Sequence, residues 1–346
     1  MPIADLQLPP RLLAGGGPST PDPRVLGALT TPVIGQFDPE FTVIMDDVVK
    51  LARKTLLTNN RRCFPISALA SAGVEAVINT LLEVEAEIAI GGDADFVANT
   101  ANIARRLGAR VVPLGDLSSR TSLLVVPLID PARATLLPIR DIAQKCHGQG
   151  IKVLVEATLG LGACELRVDD WTIDICVAGV DYAVGAPSGM TLVTYSAEIE
   201  SMLEARQGPP GTSYLDLLQL QAYWSPDRLN HHTAPTSLIY GLREALRLVH
   251  EEGLEPRWTR HARCGQALRD GLLSLGLEVG GDLPFSIVHL PPSVDESETR
   301  GRLLDEFGIH VKRIDAHAWR LGLLGADARA ENVHRLLISL EKVLTS

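Results

Sequence analysis

The chain has 346 residues, enough for about two domains with buried cores. Hydrophobic residues make up 46% and charged residues 21%, which excludes a disordered, collagenous or coiled-coil protein. Thirty-two Lys and Arg against 42 Asp and Glu leave a formal net charge of −10, which disfavours nucleic acid or an anionic membrane as partner and favours a small molecule or a protein.

Residues 1–25 are rich in Gly and Pro (Gly15, Gly16, Gly17, Pro18, Pro21, Pro23) and read as an irregular arm that ends in a helix from about Asp22. Apolar residues at Val43, Ile44, Val48, Val49 and Leu51 predict a helix over Phe41–Leu57, and a second helix is expected over Ser71–Leu82. Short apolar runs then predict strands at Glu87–Ile90, Arg110–Pro113, Leu123–Pro127, Lys152–Glu156, Ile173–Ala178 and Met190–Tyr195. Helices over Phe96–Leu107 and Pro138–Gln149 separate several of them. This alternation predicts an α/β fold with a mostly parallel sheet covered on both faces, in which ligands sit beyond the carboxyl ends of the strands. Pro209–Pro235 reads as a long polar and aromatic connection, followed by a helix over Thr236–Glu252 that Gly253 ends. The remainder, from about residue 260, reads helix, strand, helix, strand, helix, a smaller α+β domain.

Five cysteines (Cys63, Cys146, Cys164, Cys176, Cys264) show no C-x-x-C spacing and exclude a disulfide framework or a zinc site. Met1–Pro10 has neither a basic nor an apolar leader segment, and no apolar run reaches the roughly 18 residues of a membrane span, so a reduced, cytoplasmic protein is expected. The charges of Asp169–Asp174 read as a solvated turn. No G-x-S-x-G hydrolase elbow is present, and Gly15–Ser19 lacks the Lys-Ser/Thr ending of a P-loop.

Several blocks carry a resemblance. Gly15-Gly16-Gly17-Pro18-Ser19, Ile34-Gly35-Gln36-Phe37-Asp38-Pro39-Glu40-Phe41, Ser71-Ala72-Gly73-Val74-Glu75-Ala76, Gly185-Ala186-Pro187-Ser188-Gly189, His231-His232-Thr233-Ala234-Pro235 and Arg320-Leu321-Gly322-Leu323-Leu324-Gly325 occur in the order found in class V aminotransferases. The chain resembles the alanine:glyoxylate and serine:pyruvate branch of that family. The resemblance implies a homodimeric, fold-type-I PLP-transferase-like structure: an arm (1–25), a large domain (26–255) with a mostly parallel sheet, and a small α+β C-terminal domain (256–346). It also implies active sites shared between subunits and pyridoxal phosphate held as a Schiff base by a lysine.

Residue by residue, the resemblance sets Tyr182 where that lysine stands, and a phenol forms no imine. None of the six lysines (Lys50, Lys54, Lys145, Lys152, Lys312, Lys342) falls in this block, and Lys152 starts a strand whose far end is Glu156. Asp181 matches a phosphate-holding glutamine; a carboxylate 4 Å from a phosphate charge is repelled by about 4 kcal/mol at an effective dielectric near 20. Leu69, Ala70 and Ser71 match the phosphate loop, and only Ser71 and the helix N-terminus keep donors there. Glu156 matches the aspartate that partners the pyridine nitrogen, Phe96 the ring-stacking aromatic, Asn230 a phosphate-binding tyrosine from the other subunit, and Thr233 is retained. Asp130-Pro131-Ala132-Arg133-Ala134 matches a stretch whose hydroxyls are gone. Arg320 matches the arginine that grips a substrate carboxylate bidentately.

Tyr182, Glu156 and Asp181 are therefore the candidate catalytic residues, and Arg320, Phe96, Ser71, Thr233 and Asn230 the candidate ligand-binding ones. No metal is expected, His231 and His232 belonging to a loop block. The main expectation is a degenerate aminotransferase-fold homodimer without covalent pyridoxal phosphate and with no cofactor. It would bind a small carboxylate or amino acid, either noncatalytically or in cofactor-independent chemistry. The alternative is an aminotransferase-like enzyme using noncovalent pyridoxal or pyridoxamine phosphate (PLP or PMP) on an amino or oxo acid.

Overall fold

The computed structural model describes residues 7–281 and 283–345; the first six residues of the expected arm lie outside the described residues. The chain opens with a two-residue strand, β1 (Leu12–Leu13), and helices α1 (Pro23–Leu29) and α2 (Pro39–Leu56). Then follow β2 (Arg62–Ile66), α3 (Ala70–Leu81), β3 (Glu87–Ile90), α4 (Ala94–Arg106), β4 (Arg110–Val112), β5 (Thr121–Pro127), β6 (Ile129–Asp130) and β7 (Thr135–Leu136). Next are α5 (Ile139–His147), β8 (Lys152–Glu156), β9 (Ile175–Gly179), β10 (Thr191–Tyr195), α6 (Ala197–Glu204), α7 (Leu217–Trp224), α8 (Thr236–Glu252) and α9 (Leu254–Ser274). The chain finishes with β11 (Glu278–Gly280), β12 (Phe285–His289), α10 (Glu296–Phe307), β13 (Ile309–His310), β14 (Lys312–Arg313), β15 (Ala318–Gly322) and α11 (Ala330–Thr345).

Seven strands form the main sheet in the order β2-β10-β9-β8-β5-β3-β4. The five strands from β9 to β4 run parallel, and β10 is antiparallel to both its neighbours. Consecutive residues Val153, Leu154 and Val155 are wholly buried, so both faces of β8 are covered, as parallel sheets require. The carboxyl ends of β3, β8 and β9 consequently open on one edge, where Phe96, Glu156 and Tyr182 follow in the chain. A second, antiparallel sheet (β11-β12-β15-β14) carries Arg320 in the middle of β15, opposite Ile287 and Lys312.

Local signals explain the helix boundaries. Asp38 caps α2 by accepting from Glu40 N at 2.9 Å, Pro39 fits its first turn, and Arg53 and Lys54 face the negative end of its dipole. Asp93 caps α4 through the amides of Asp95 and Phe96, which fixes where the Phe96 ring leaves the helix.

Three expectations are corrected. The arm is not irregular throughout: Leu12 and Ala14 are buried, β1 pairs in parallel with β13, and Gly15 bridges Gly322, so this stretch packs against its own chain. The 209–235 connection contains α7, whose Leu217, Leu220 and Tyr223 are buried against the main core. The Asp169–Asp174 stretch is not simply solvated. Asp169 accepts from Thr58 Oγ1 and Asn59 N, and buried Asp174 accepts from Val153 N at 2.8 Å and meets His147 Nε2 at 2.7 Å, tying β8 to the chain entering β9.

Candidate active site

Six of the eight candidate residues line one cleft of about 400 Å³ at the carboxyl edge of the main sheet: Ser71, Phe96, Glu156, Asp181, Tyr182 and Arg320. Asn230 and Thr233 do not line it. Both are exposed, and Asn230 Oδ1 instead accepts from Gln36 Nε2 at 3.0 Å. Among the described residues no lysine lines the cleft. Lys152 sits at the amino end of β8 and pairs with Glu198 at 2.6 Å.

Glu156 ends β8. Its Oε1 accepts from Thr158 N at 3.0 Å and from the Thr158 hydroxyl, and Thr158 Oγ1 in turn accepts from Gly179 N at 2.8 Å. This chain of bonds pins the carboxylate between the ends of β8 and β9. Burial pushes the Glu156 carboxyl above its ordinary range; the Thr158 donors oppose that shift and the nearby Asp181 charge adds to it. Thr158 is a positioning residue that the sequence reading missed; its signal was a hydroxyl two places after a strand-end carboxylate.

In the same cleft Leu69 stands at the N-cap of α3 and offers no side-chain cap, so the amides of Ala70 and Ser71 are left to a ligand or to water. The Ser71 hydroxyl is exposed beside them. Asp181 lines the same cleft, and one of its carboxylate oxygens accepts from the Ser188 hydroxyl.

The Tyr182 ring packs on the arm. A Cβ at Gly17, where φ is +106°, would stand 1.9 Å from the ring, so only glycine lets the backbone lie there. Ser19 Oγ donates to Tyr182 O at 2.6 Å. Burial raises the phenol's pKa while the Arg320 guanidinium, within hydrogen-bonding reach, pulls it down. Arg320 Nε donates to Gly15 O at 2.9 Å, and its Cζ lies 5.4 Å from the Phe285 ring centroid. The arm therefore orients Arg320 by one nitrogen.

His231 and His232 stand Nδ1 to Nδ1 at 2.9 Å, with His232 near Ser67 Oγ at 3.3 Å. Among the described residues there is no group of three or more His, Cys, Asp or Glu able to hold a metal. No helix among them is long and apolar enough to cross a membrane.

The family model for class V aminotransferases matches residues 75–313. The chain is 34% identical to the (S)-ureidoglycine–glyoxylate transaminase of Bacillus subtilis, over 98% of this chain and 92% of that protein. It is 30% identical to the alanine–glyoxylate aminotransferase of Oryctolagus cuniculus, over 97% and 93% respectively. The crystal structure of a ureidoglycine–glyoxylate aminotransferase from Bacillus subtilis matches with a TM-score of 0.94 at 35% identity, covering 99% of this chain and 95% of that one. The architecture is thus the fold-type-I α/β fold expected from the sequence.

The same similarities correct the expectation that no cofactor takes part. Transamination moves an amino group between two acids through a carbonyl carrier, which protein side chains do not supply and a cofactor must. The carrier that the resemblance implies is pyridoxal phosphate, and a chain this similar to named transaminases over nearly its whole length does not support a cofactor-free reading.

Proposed function

This chain belongs to the class V aminotransferase family, and from that premise we propose that it is an aminotransferase-like enzyme holding pyridoxal or pyridoxamine phosphate without a covalent bond. The observation that carries the proposal is one cleft combining a buried carboxylate, an aromatic ring, an uncapped helix N-terminus with a hydroxyl, and an arginine, but, among the described residues, no lysine. This donor set fits the cofactor end to end. Glu156 would hold the pyridine nitrogen, Phe96 would cover the ring, and Ser71 with the first amides of α3 would hold the phosphate.

When bound, the cofactor supplies the amine or carbonyl that carries the amino group. The chain's own residues do the rest. Arg320, already oriented by Gly15 and Phe285, offers its remaining nitrogens to the carboxylate of an amino or oxo acid. Tyr182, kept protonated by burial, offers a phenol hydrogen bond on the same wall. Glyoxylate is the proposed oxo acid, supported by the names of the relatives.

The arm 1–25, the large unit 26–255 and the small unit 256–346 would meet at this cleft. The assembly proposed is a homodimer. Its support is an exposed apolar set, Val33, Phe37 and Leu229, next to the Gln36–Asn230 contact, a surface suited to a second copy that would bring Asn230 and Thr233 to the partner's cleft.

The test is single-turnover amino transfer. Protein loaded with pyridoxamine phosphate and mixed with glyoxylate is expected to yield glycine and pyridoxal phosphate, up to one equivalent per chain. Retention of the cofactor with no glycine formed from glyoxylate, and no corresponding amino acid formed from other small 2-oxo acids, would overturn the catalytic reading.

A further inference from the structure

Behind the Tyr182 loop lies a second and larger cavity, of about 880 Å³, walled by α1, the end of α8, the first half of α9 and the start of α11. Its charge runs against that of the protein. Five arginines (Arg24, Arg257, Arg260, Arg263 and Arg329) and three carboxylates line it, in a chain of formal charge −10.

Two of the three carboxylates are engaged, while Glu331 at the start of α11 makes no ion pair with any described residue. Glu252 is shared between Arg257 and Arg260 at 2.6 Å each, and Asp22 caps α1 and meets Arg24. The guanidiniums of Arg263 and Arg329 make no hydrogen bond or salt bridge with any described residue, although the Arg329 charge is felt by the Asp327 carboxyl, whose pKa burial raises and that charge lowers. Arg257 is only 6% exposed, yet its Nε is buried without a partner. Natural proteins seldom leave such a donor unmet. The cleft is open to solvent on the side of Arg263 and Arg329, and its volume is that of a small-molecule site.

We propose that this cavity is a binding site for a small polyanion, a molecule with two or more phosphate or carboxylate charges, gripped between the free Arg263 and Arg329 and the anchored Arg257 and Arg260. Arginine forks suit both anion types. The site joins two parts of the chain. Arg263 rises from α9, Arg329 from the turn before α11, and Arg260 Nη1 already donates to Gly325 O and Ala328 O across that gap. It also touches the cofactor cleft from behind: Arg257 Nη2 donates to the carbonyl of Ala183, the residue after Tyr182, while Val184 and Gly185 form part of the cavity wall. An anion held here restrains the 182–185 loop from its rear face.

The experiment is calorimetric titration of the purified protein with pyrophosphate and, separately, citrate, at constant ionic strength with chloride as the control. One site per chain is expected that is unaffected by S71A, in addition to any anion taken up at the α3 N-terminus of the other cleft. Tighter binding of pyrophosphate assigns the phosphate class, and tighter binding of citrate the carboxylate class. The exposed pair R263A/R329A should lose affinity by at least tenfold with the thermal midpoint of the free protein unchanged. S71A, at the phosphate end of the other cleft, should bind the anion as before, which separates this site from the proposed cofactor site. Amide hydrogen exchange over residues 182–185 should slow when the anion is bound. Absence of binding by both anions, equal binding by R263A/R329A, or loss of binding in S71A instead would each overturn the proposal.

Discussion

Replacing Glu156 by glutamine is expected to weaken retention of pyridoxamine phosphate by about two to three orders of magnitude. The substitution keeps the volume and leaves Thr158 a partner, so the local fold should survive. What it removes is a cleft carboxylate pinned by two Thr158 donors. Removing one member of a buried charge pair costs about 3–5 kcal/mol, and every 1.4 kcal/mol is about tenfold in affinity. The pH dependence carries a sign. Burial places the Glu156 pKa above its ordinary value, so the carboxylate is lost as pH falls through that raised value. Wild-type affinity should therefore fall on acidification toward that of the glutamine variant, while the variant stays flat in the same window. Equilibrium dialysis across pH checks both statements; a variant that binds like the wild type at every pH would show that Glu156 does not meet the cofactor.

Arg320→Ala is expected to raise KM for the oxo acid by at least two orders of magnitude. Hydrogen bonds to a charged group are worth about 1.5–3 kcal/mol each, and a bidentate grip loses two. Arg320→Lys keeps the charge but not the planar fork, and should recover little of the loss. Either change also removes the Nε bond to Gly15 and the contact with Phe285, so the arm should be docked less firmly, at a cost of about 1–2 kcal/mol in urea unfolding. A KM unchanged in both variants, with only stability altered, would reduce Arg320 to a strut for the arm.

The sequence reading succeeded where local chemistry set the structure. β3 and β8 were placed to the residue because each is a short run bounded by polar or turn residues, and α8 because its stripe begins after Pro235 and stops at Gly253. It missed β2, where Pro65 interrupts the pattern. Proline is tolerated there because β2 is the edge strand of the sheet, paired only to β10. It also missed β1, which exists only because residue 309 lies beside residue 12. For the site, six of the positions carried by the resemblance converge in space: Phe96, Glu156, Asp181 and Tyr182 lie at or just after strand ends on one edge of the main sheet, Ser71 opens α3, and Arg320 reaches the same cleft from the middle of β15 in the second sheet. Thr158 escaped because its role is to aim another residue. Asn230 and Thr233 lie outside the cleft of their own chain, and nothing in a single sequence locates a neighbouring copy. The arginine cavity was illegible for a related reason: its cations come from α1, α9 and the turn before α11, far apart in the chain.

The central claim, a cofactor held in the Glu156 cleft with no covalent bond, is tested most directly by the mass of the chain. Protein saturated with pyridoxal phosphate would be weighed under native conditions, then treated with borohydride, denatured and weighed again. The predicted result is one cofactor per chain in the native spectrum and the unmodified polypeptide mass after reduction and denaturation. A stoichiometric pyridoxyl adduct on any lysine, or a native spectrum without cofactor, would contradict it.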